Sequence, residues 1–217
     1  MSSDPTVTRI LFYGDSLVYG KVSGENRRFA ANERFTGRIQ QLFGAEAEIL
    51  EEGLRGRMLI GENKFFPERD GLQQFGPIVG SHLPITVLVI FLGTNDCNAG
   101  GEVSEERFLR AYSEYMQKLK IWAAFLSVGE PQVMLVAPPA INEAYFDEAM
   151  RKVFGSGAAD RVSRLPSIIK NCADRLSVDY FDSSVVCQPA SGDGIHLDVA
   201  ANEALAEALH DKLRSLL

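Results

Sequence analysis

Positive charge is scarce in this 217-residue chain: 22 Lys and Arg stand against 29 Asp and Glu, for a formal net charge of −7. A nucleic-acid binder needs a massed basic footprint to displace counterions from phosphates. Here the Lys and Arg are scattered, so no nucleic-acid partner is expected. Long apolar runs are missing as well, and none reaches the roughly 20 residues that span a bilayer, so no membrane partner is expected either. Asp4 stands where an export signal would carry basic residues, and the apolar stretch behind it breaks at Gly14-Asp15, which points to a cytoplasmic protein. Cysteine is limited to Cys97, Cys172 and Cys187. An odd set without CxxC spacing suits reduced, core-filling thiols better than disulfides or a zinc site. There is no Walker A run, and Gly155-Ser156-Gly157-Ala158-Ala159-Asp160 lacks both a third glycine and a preceding strand. These gaps weigh against a nucleotide- or flavin-binding module. The G-x-S-x-G nucleophile elbow is missing too.

What is present is 46% hydrophobic residues, enough for one compact domain over residues 1–217. Strand patterns fall at Val7–Tyr13, Glu46–Leu50, Ile85–Leu92, Gln132–Ala137 and Val178–Phe181. The unbroken apolar run Ile85–Leu92 is the kind found in strands buried on both faces and should lie at the sheet centre. Helical patterns occupy Glu33–Phe43, Gly71–Leu83, Ser104–Ser127, Asn142–Phe154, Ala158–Leu176 and Asp198–Leu217. Gly76-Pro77 should interrupt the second of these, and Ser104 should cap the third. Phe108, Tyr112, Tyr115, Leu119, Trp122 and Phe125 recur at helical spacing and are expected in the core. Five strands with helical crossovers predict an α/β fold, a three-layer α/β/α sandwich around a five-stranded parallel sheet of flavodoxin-like architecture. The stretch 138–163 is the least regular and reads as an insertion, a lid or a subunit contact.

Ligands in such folds bind beyond the carboxyl ends of the strands. After the first strand, Gly14-Asp15-Ser16-Leu17 offers a hydroxyl at a strand-to-helix turn. After the central strand, Gly93-Thr94-Asn95-Asp96 offers a side-chain amide. Beyond the last, Asp193-Gly194-Ile195-His196 sets a carboxylate three residues before an imidazole, a spacing that lets the acid orient the ring. His82 has no acid so placed upstream, and His210 sits within the terminal helical pattern beside Asp211. Each feature alone is commonplace, a helix cap, a turn, a structural histidine. Together they put nucleophile, base, orienting acid and oxyanion donor on one sheet edge, which is what acyl transfer needs. Asp15 and Asp96 are read as hydrogen-bonding within their loops; Arg55 and Arg57, on either side of Gly56, could meet a charged substrate, but solvated surface arginines are the simpler account.

In order and spacing the three segments resemble blocks I, III and V of the SGNH (GDSL-type) hydrolase superfamily, with a likeness running from about Val7 to Leu217. The glycine of block II falls in Glu51-Glu52-Gly53-Leu54-Arg55-Gly56-Arg57; Gly56 lies further along the loop and is preferred, with Gly53 in reserve. The resemblance implies a catalytic triad of Ser16, Asp193 and His196, and an oxyanion hole from Ser16, Gly56 and Asn95, with no metal or cofactor. Ser81-His82-Leu83-Pro84 and Glu51-Glu52-Gly53-Leu54 are similar to the bacterial arylesterase and acyltransferase branch. That branch implies a small-molecule ester substrate, hydrolysis of short-chain and aryl esters, acyl transfer or perhydrolysis in some members, and a homo-oligomer that narrows the site entrance. Phe35 stands where the branch has tryptophan. Removal of sugar or metabolite O-acetyl groups by the same triad is the competing expectation.

Overall fold

A computed structural model describes residues 7–62 and 67–217. Strands β1 (Thr8–Gly14), β2 (Ala47–Gly53), β3 (Val87–Phe91), β4 (Gln132–Ala137) and β5 (Asp179–Asp182) form one sheet in the order β2-β1-β3-β4-β5. Every pairing is parallel. β3 is the central strand, as its apolar run predicts, and all five of its residues are buried. Side chains alternate between two cores: Leu11, Tyr13, Leu88 and Ile90 face one, Ile10, Phe12, Val87 and Val89 the other, as the two-residue pleat requires.

The helices are α1 (Ser16–Tyr19), α2 (Phe35–Phe43), α3 (Gly71–His82), α4 (Glu105–Leu126), α5 (Glu148–Phe154), α6 (Ala158–Ser163), α7 (Leu165–Leu176) and α8 (Val199–Arg214). α2 and α8 cover one face with Ile39, Phe43, Leu205 and Leu209. α3, α4 and α7 cover the other with Phe75, Tyr112, Tyr115 and Ile169, completing the three layers. Ser104 caps α4 by accepting a hydrogen bond from the Arg107 N–H. All three cysteines are free and buried. Among the described residues no helix is long and apolar enough to cross a membrane.

Several sequence expectations need correction. Gly76-Pro77 does not interrupt α3, which runs through both residues. The cost of the proline is outweighed by packing: Gly76 and Gly80 present bare backbone to Trp122, and a Cβ at Gly80 would sit 2.5 Å from the indole. The apolar stripe of α4 is core only as far as Leu119. Trp122 is half-buried and Phe125 is 75% exposed, because a 22-residue helix is about 33 Å long and outruns a five-residue strand of about 17 Å. The expected helix Ala158–Leu176 is two helices joined at Arg164. Asn142–Phe154 divides into a 3-10 turn at Glu143–Tyr145 and α5. β2 continues past Leu50 to Gly53. Its acidic end looks loop-like in sequence, but Glu51 is paired with Arg28 and Arg34, both at 2.7 Å, which allows it to stay in an edge strand.

Candidate active site

The four segments singled out in the sequence converge at the carboxyl edge of the sheet. Ser16 opens α1, whose preceding residue Asp15 caps it by accepting from the Leu17 N–H. Gly53 lies inside β2, paired with Gly14; a Cβ there would fall 2.1 Å from the Tyr19 nitrogen, so its bare backbone is what allows α1 to cross the end of β2. Beyond it, Leu54–Arg57 forms a turn closed by the Arg57 N–H donating to the Leu54 carbonyl at 3.0 Å. Gly56 occupies its third position with φ +80°, a conformation that disfavours any side chain. Gly56 lines the same pocket as Ser16. Among the described residues the N–H groups of Ser16 and Gly56 have no acceptor.

His196 Nε2 lies 2.8 Å from Ser16 Oγ and its Nδ1 lies 2.7 Å from Asp193 Oδ2. All three residues are at most 8% exposed. Asp193 is ionised and only accepts, so Nδ1 carries the proton of the neutral ring and Nε2 is free to accept from the Ser16 hydroxyl. The remaining donors to Asp193 are Ser23 Oγ, the Ile195 and His196 N–H groups on Oδ1, and the Gly24 N–H and Lys21 Nζ on Oδ2. Burial opposes its charge, yet the hydrogen bonds and charge of His196 and the Gly24 N–H outweigh that and hold the carboxyl well below the usual range. Burial also lowers the pKa of His196; Asp193 opposes this, and Lys21 and Arg55 push the same way as burial. The loop that carries the pair is fixed to the β4 side by the Asn142 N–H donating to the Gly194 carbonyl at 2.7 Å.

Asn95 lies in a 3-10 turn, Thr94–Cys97, after β3. Its Nδ2 donates to Asp15 Oδ2 and to the Arg57 carbonyl, both at 3.1 Å, so both of its protons are engaged at rest. Asp15 therefore does more than cap its own turn: it links the first and third strand ends. Burial raises its pKa to about 7. Asp96 also reaches across, accepting from the Leu59 N–H at 2.7 Å and from Arg107 Nη1 at 3.1 Å, and burial raises it to about 6. Asp15 also bonds within its own loop, as expected, and the bonds that Asp15 and Asp96 make to other elements go beyond that expectation.

Arg57 is the clearest correction. It is 2% exposed rather than solvated, with its guanidinium 4.2 Å from the Tyr13 ring centroid and donating to the carbonyls of Gly14 and Glu52. It braces the floor of the site and does not line the pocket. Arg55 is exposed as expected and does line it.

The pocket over Ser16 has a volume of about 210 Å³, walled on its apolar side by Met150, Val153, Phe154 and Ile195. The irregular stretch 138–163 thus supplies one wall through α5. Lys21 and Arg69 also line it; neither stood out in the sequence. Lys21 is placed by a loop that pairs it with Arg28, and Arg69 by the turn into α3. A larger cleft of about 440 Å³ opens at the amino edge of β4 and β5, far from Ser16, and its lining includes no serine–histidine pair.

Such a hydroxyl, imidazole and carboxylate at the end of a parallel sheet define a serine-hydrolase-like arrangement. Residues 10–209 match the family described as GDSL-like Lipase/Acylhydrolase, and the chain belongs to that family. The expected SGNH (GDSL-type) membership holds, and by family the chain is a carboxylic ester hydrolase. Among solved structures it is similar to the M. smegmatis aryl esterase, at 30% identity and a TM-score of 0.90, covering 97% of this chain and 100% of that one. It is also similar to Est24, a carbohydrate acetylesterase from Sinorhizobium meliloti, at 26% identity and a TM-score of 0.89, with coverage of 97% and 100%. No curated protein sequence matches the chain.

Proposed function

We propose that the protein is a serine esterase that hydrolyses short-chain acyl and aryl esters through an acyl-enzyme. The observation that carries this is the unbroken chain of hydrogen bonds from Asp193 through His196 to Ser16 Oγ, open to a small pocket. His196 Nε2 takes the Ser16 proton as Oγ attacks the ester carbonyl. The oxyanion is received by the N–H groups of Ser16 and Gly56 and by Asn95 Nδ2. Asp193 stabilises the imidazolium without taking its proton. The tetrahedral intermediate then expels the alcohol, protonated by His196, and leaves the acyl group on Oγ. Water, deprotonated by His196, attacks that acyl group and releases the acid, returning the proton to Ser16. An alcohol or peroxide in place of water would give acyl transfer or perhydrolysis by the same steps.

A pocket of about 210 Å³ favours small acyl groups. The similarity to a carbohydrate acetylesterase supports a second reading, removal of O-acetyl groups from a sugar or metabolite by the same residues. The test is p-nitrophenyl acetate hydrolysis by wild type and Ser16→Ala, with fluorophosphonate labelling of both. Turnover and labelling should vanish together in the variant. A wild type that neither turns over nor labels would move the weight to a non-catalytic binding role, and acetylated sugars turned over faster than aryl acetates would favour the second reading.

A further inference from the structure

Among the described residues three cations, Lys21, Arg55 and Arg69, line the pocket over Ser16, and no carboxylate does. This is unexpected in a chain whose net charge is −7. Lys21 is matched by Asp193 at 3.2 Å. The two arginines are not matched: among the described residues neither forms a salt bridge. Their hydrogen bonds go to neutral acceptors that hold them in place and leave the charge uncompensated. Arg55 Nη1 donates to Asn26 Oδ1 at 2.8 Å, Arg69 Nε to the Arg55 carbonyl at 2.8 Å and Arg69 Nη1 to the Pro67 carbonyl at 3.0 Å. Arg55 precedes Gly56, whose N–H is proposed to receive the oxyanion, and both line the pocket. Met150, Val153, Phe154 and Ile195 add apolar surface to the lining. The pocket lining therefore combines apolar and cationic groups around the nucleophile.

We infer that the preferred substrate is an ester carrying an anionic group, a carboxylate or phosphate, on one of its two halves, with Arg55 and Arg69 as the residues that select it. Guanidinium groups favour such anions through paired, charge-assisted hydrogen bonds. A neutral ester of the same shape would leave the two cations to water and forgo those charge-assisted bonds. The inference rests on the esterase reading and adds to it the chemical class of the substrate.

Two matched pairs of esters test it: 4-acetoxybenzoate against 4-acetoxybenzamide, with the charge on the alcohol half, and p-nitrophenyl hemisuccinate against p-nitrophenyl butyrate, with the charge on the acyl half. Binding is read by calorimetric titration of Ser16→Ala protein, and kcat/KM is read on wild type. The charged member of at least one pair should be favoured about 10-fold or more. In Arg55→Gln/Arg69→Gln protein that ratio should fall by about 10-fold, and in wild type it should shrink as salt is raised. Equal affinity and equal kcat/KM within both pairs, or a preference unchanged in the double variant, would overturn the inference. Because the titration needs no turnover, it decides the anion preference even where hydrolysis fails, and hydrolysis of the neutral esters without any preference removes this inference while leaving the esterase reading in place.

Discussion

Replacing Asn95 by alanine tests the oxyanion assignment, and the resting geometry alters the size of the expected effect. Removing one oxyanion-hole donor costs about 2.7–4 kcal/mol in the barrier, or two to three orders of magnitude. In this site, however, Nδ2 already donates to Asp15 Oδ2 and the Arg57 carbonyl. To serve the oxyanion it must give up or share the bond to the neutral carbonyl, a net loss of about 1 kcal/mol. The gain that alanine removes is then about 2–3 kcal/mol, so kcat for p-nitrophenyl acetate should fall by roughly 30- to 150-fold with KM changed less than about threefold. Asn95→Ala also strips Asp15 Oδ2 of a buried donor, so its thermal melt must be measured beside the rates. A folded variant with full activity would refute the role of Asn95. A loss appearing only in KM would assign it to substrate binding instead.

Further outcomes follow from other parts of the molecule. His196 has its pKa pushed below 6.5 by burial, with Lys21 and Arg55 acting in the same direction against Asp193; its ring should titrate by NMR with a midpoint under 6.5, so that the neutral base persists at pH 7 and is lost as pH falls through that midpoint. A midpoint of 7 or higher would contradict the balance of burial over Asp193. Gly80→Ala should cost about 1–3 kcal/mol, because its new methyl meets the Trp122 indole, and should lower Tm by roughly 3–10 °C. The same change on a Trp122→Ala background should cost less than about 1 kcal/mol; an equal cost in both backgrounds would place its cause elsewhere.

The architecture was legible because periodicity and burial agree: the apolar run around Val87–Phe91 could only be a strand covered on both faces, and it is the central one. Ser16, Asn95, Asp193 and His196 were legible for a related reason, since each directly follows a strand end or sits three residues from its partner. What the sequence concealed depends on the backbone path. Lys21 and Arg69 reach the pocket from loops whose course no periodicity reports, and Arg57, next to exposed Arg55, turns inward under Tyr13. Element ends were misjudged where tertiary partners override local preference, as at Glu51, neutralised in the edge strand by Arg28 and Arg34, and at Pro77, carried through α3 by its packing on α4.

The acid and base lie three residues apart on one turn, whereas the bond between His196 and Ser16 spans 180 residues. The turn can form early and locally. The long-range bond forms only after nearly the whole chain has closed upon itself, at the full entropic cost of that closure. A partly folded chain could hold the aspartate–histidine pair and still have no activated serine. With the proposed triad, reaction of Ser16 with a fluorophosphonate would count completely folded molecules, and this one side chain would serve as a chemical reporter of the folding yield of the protein.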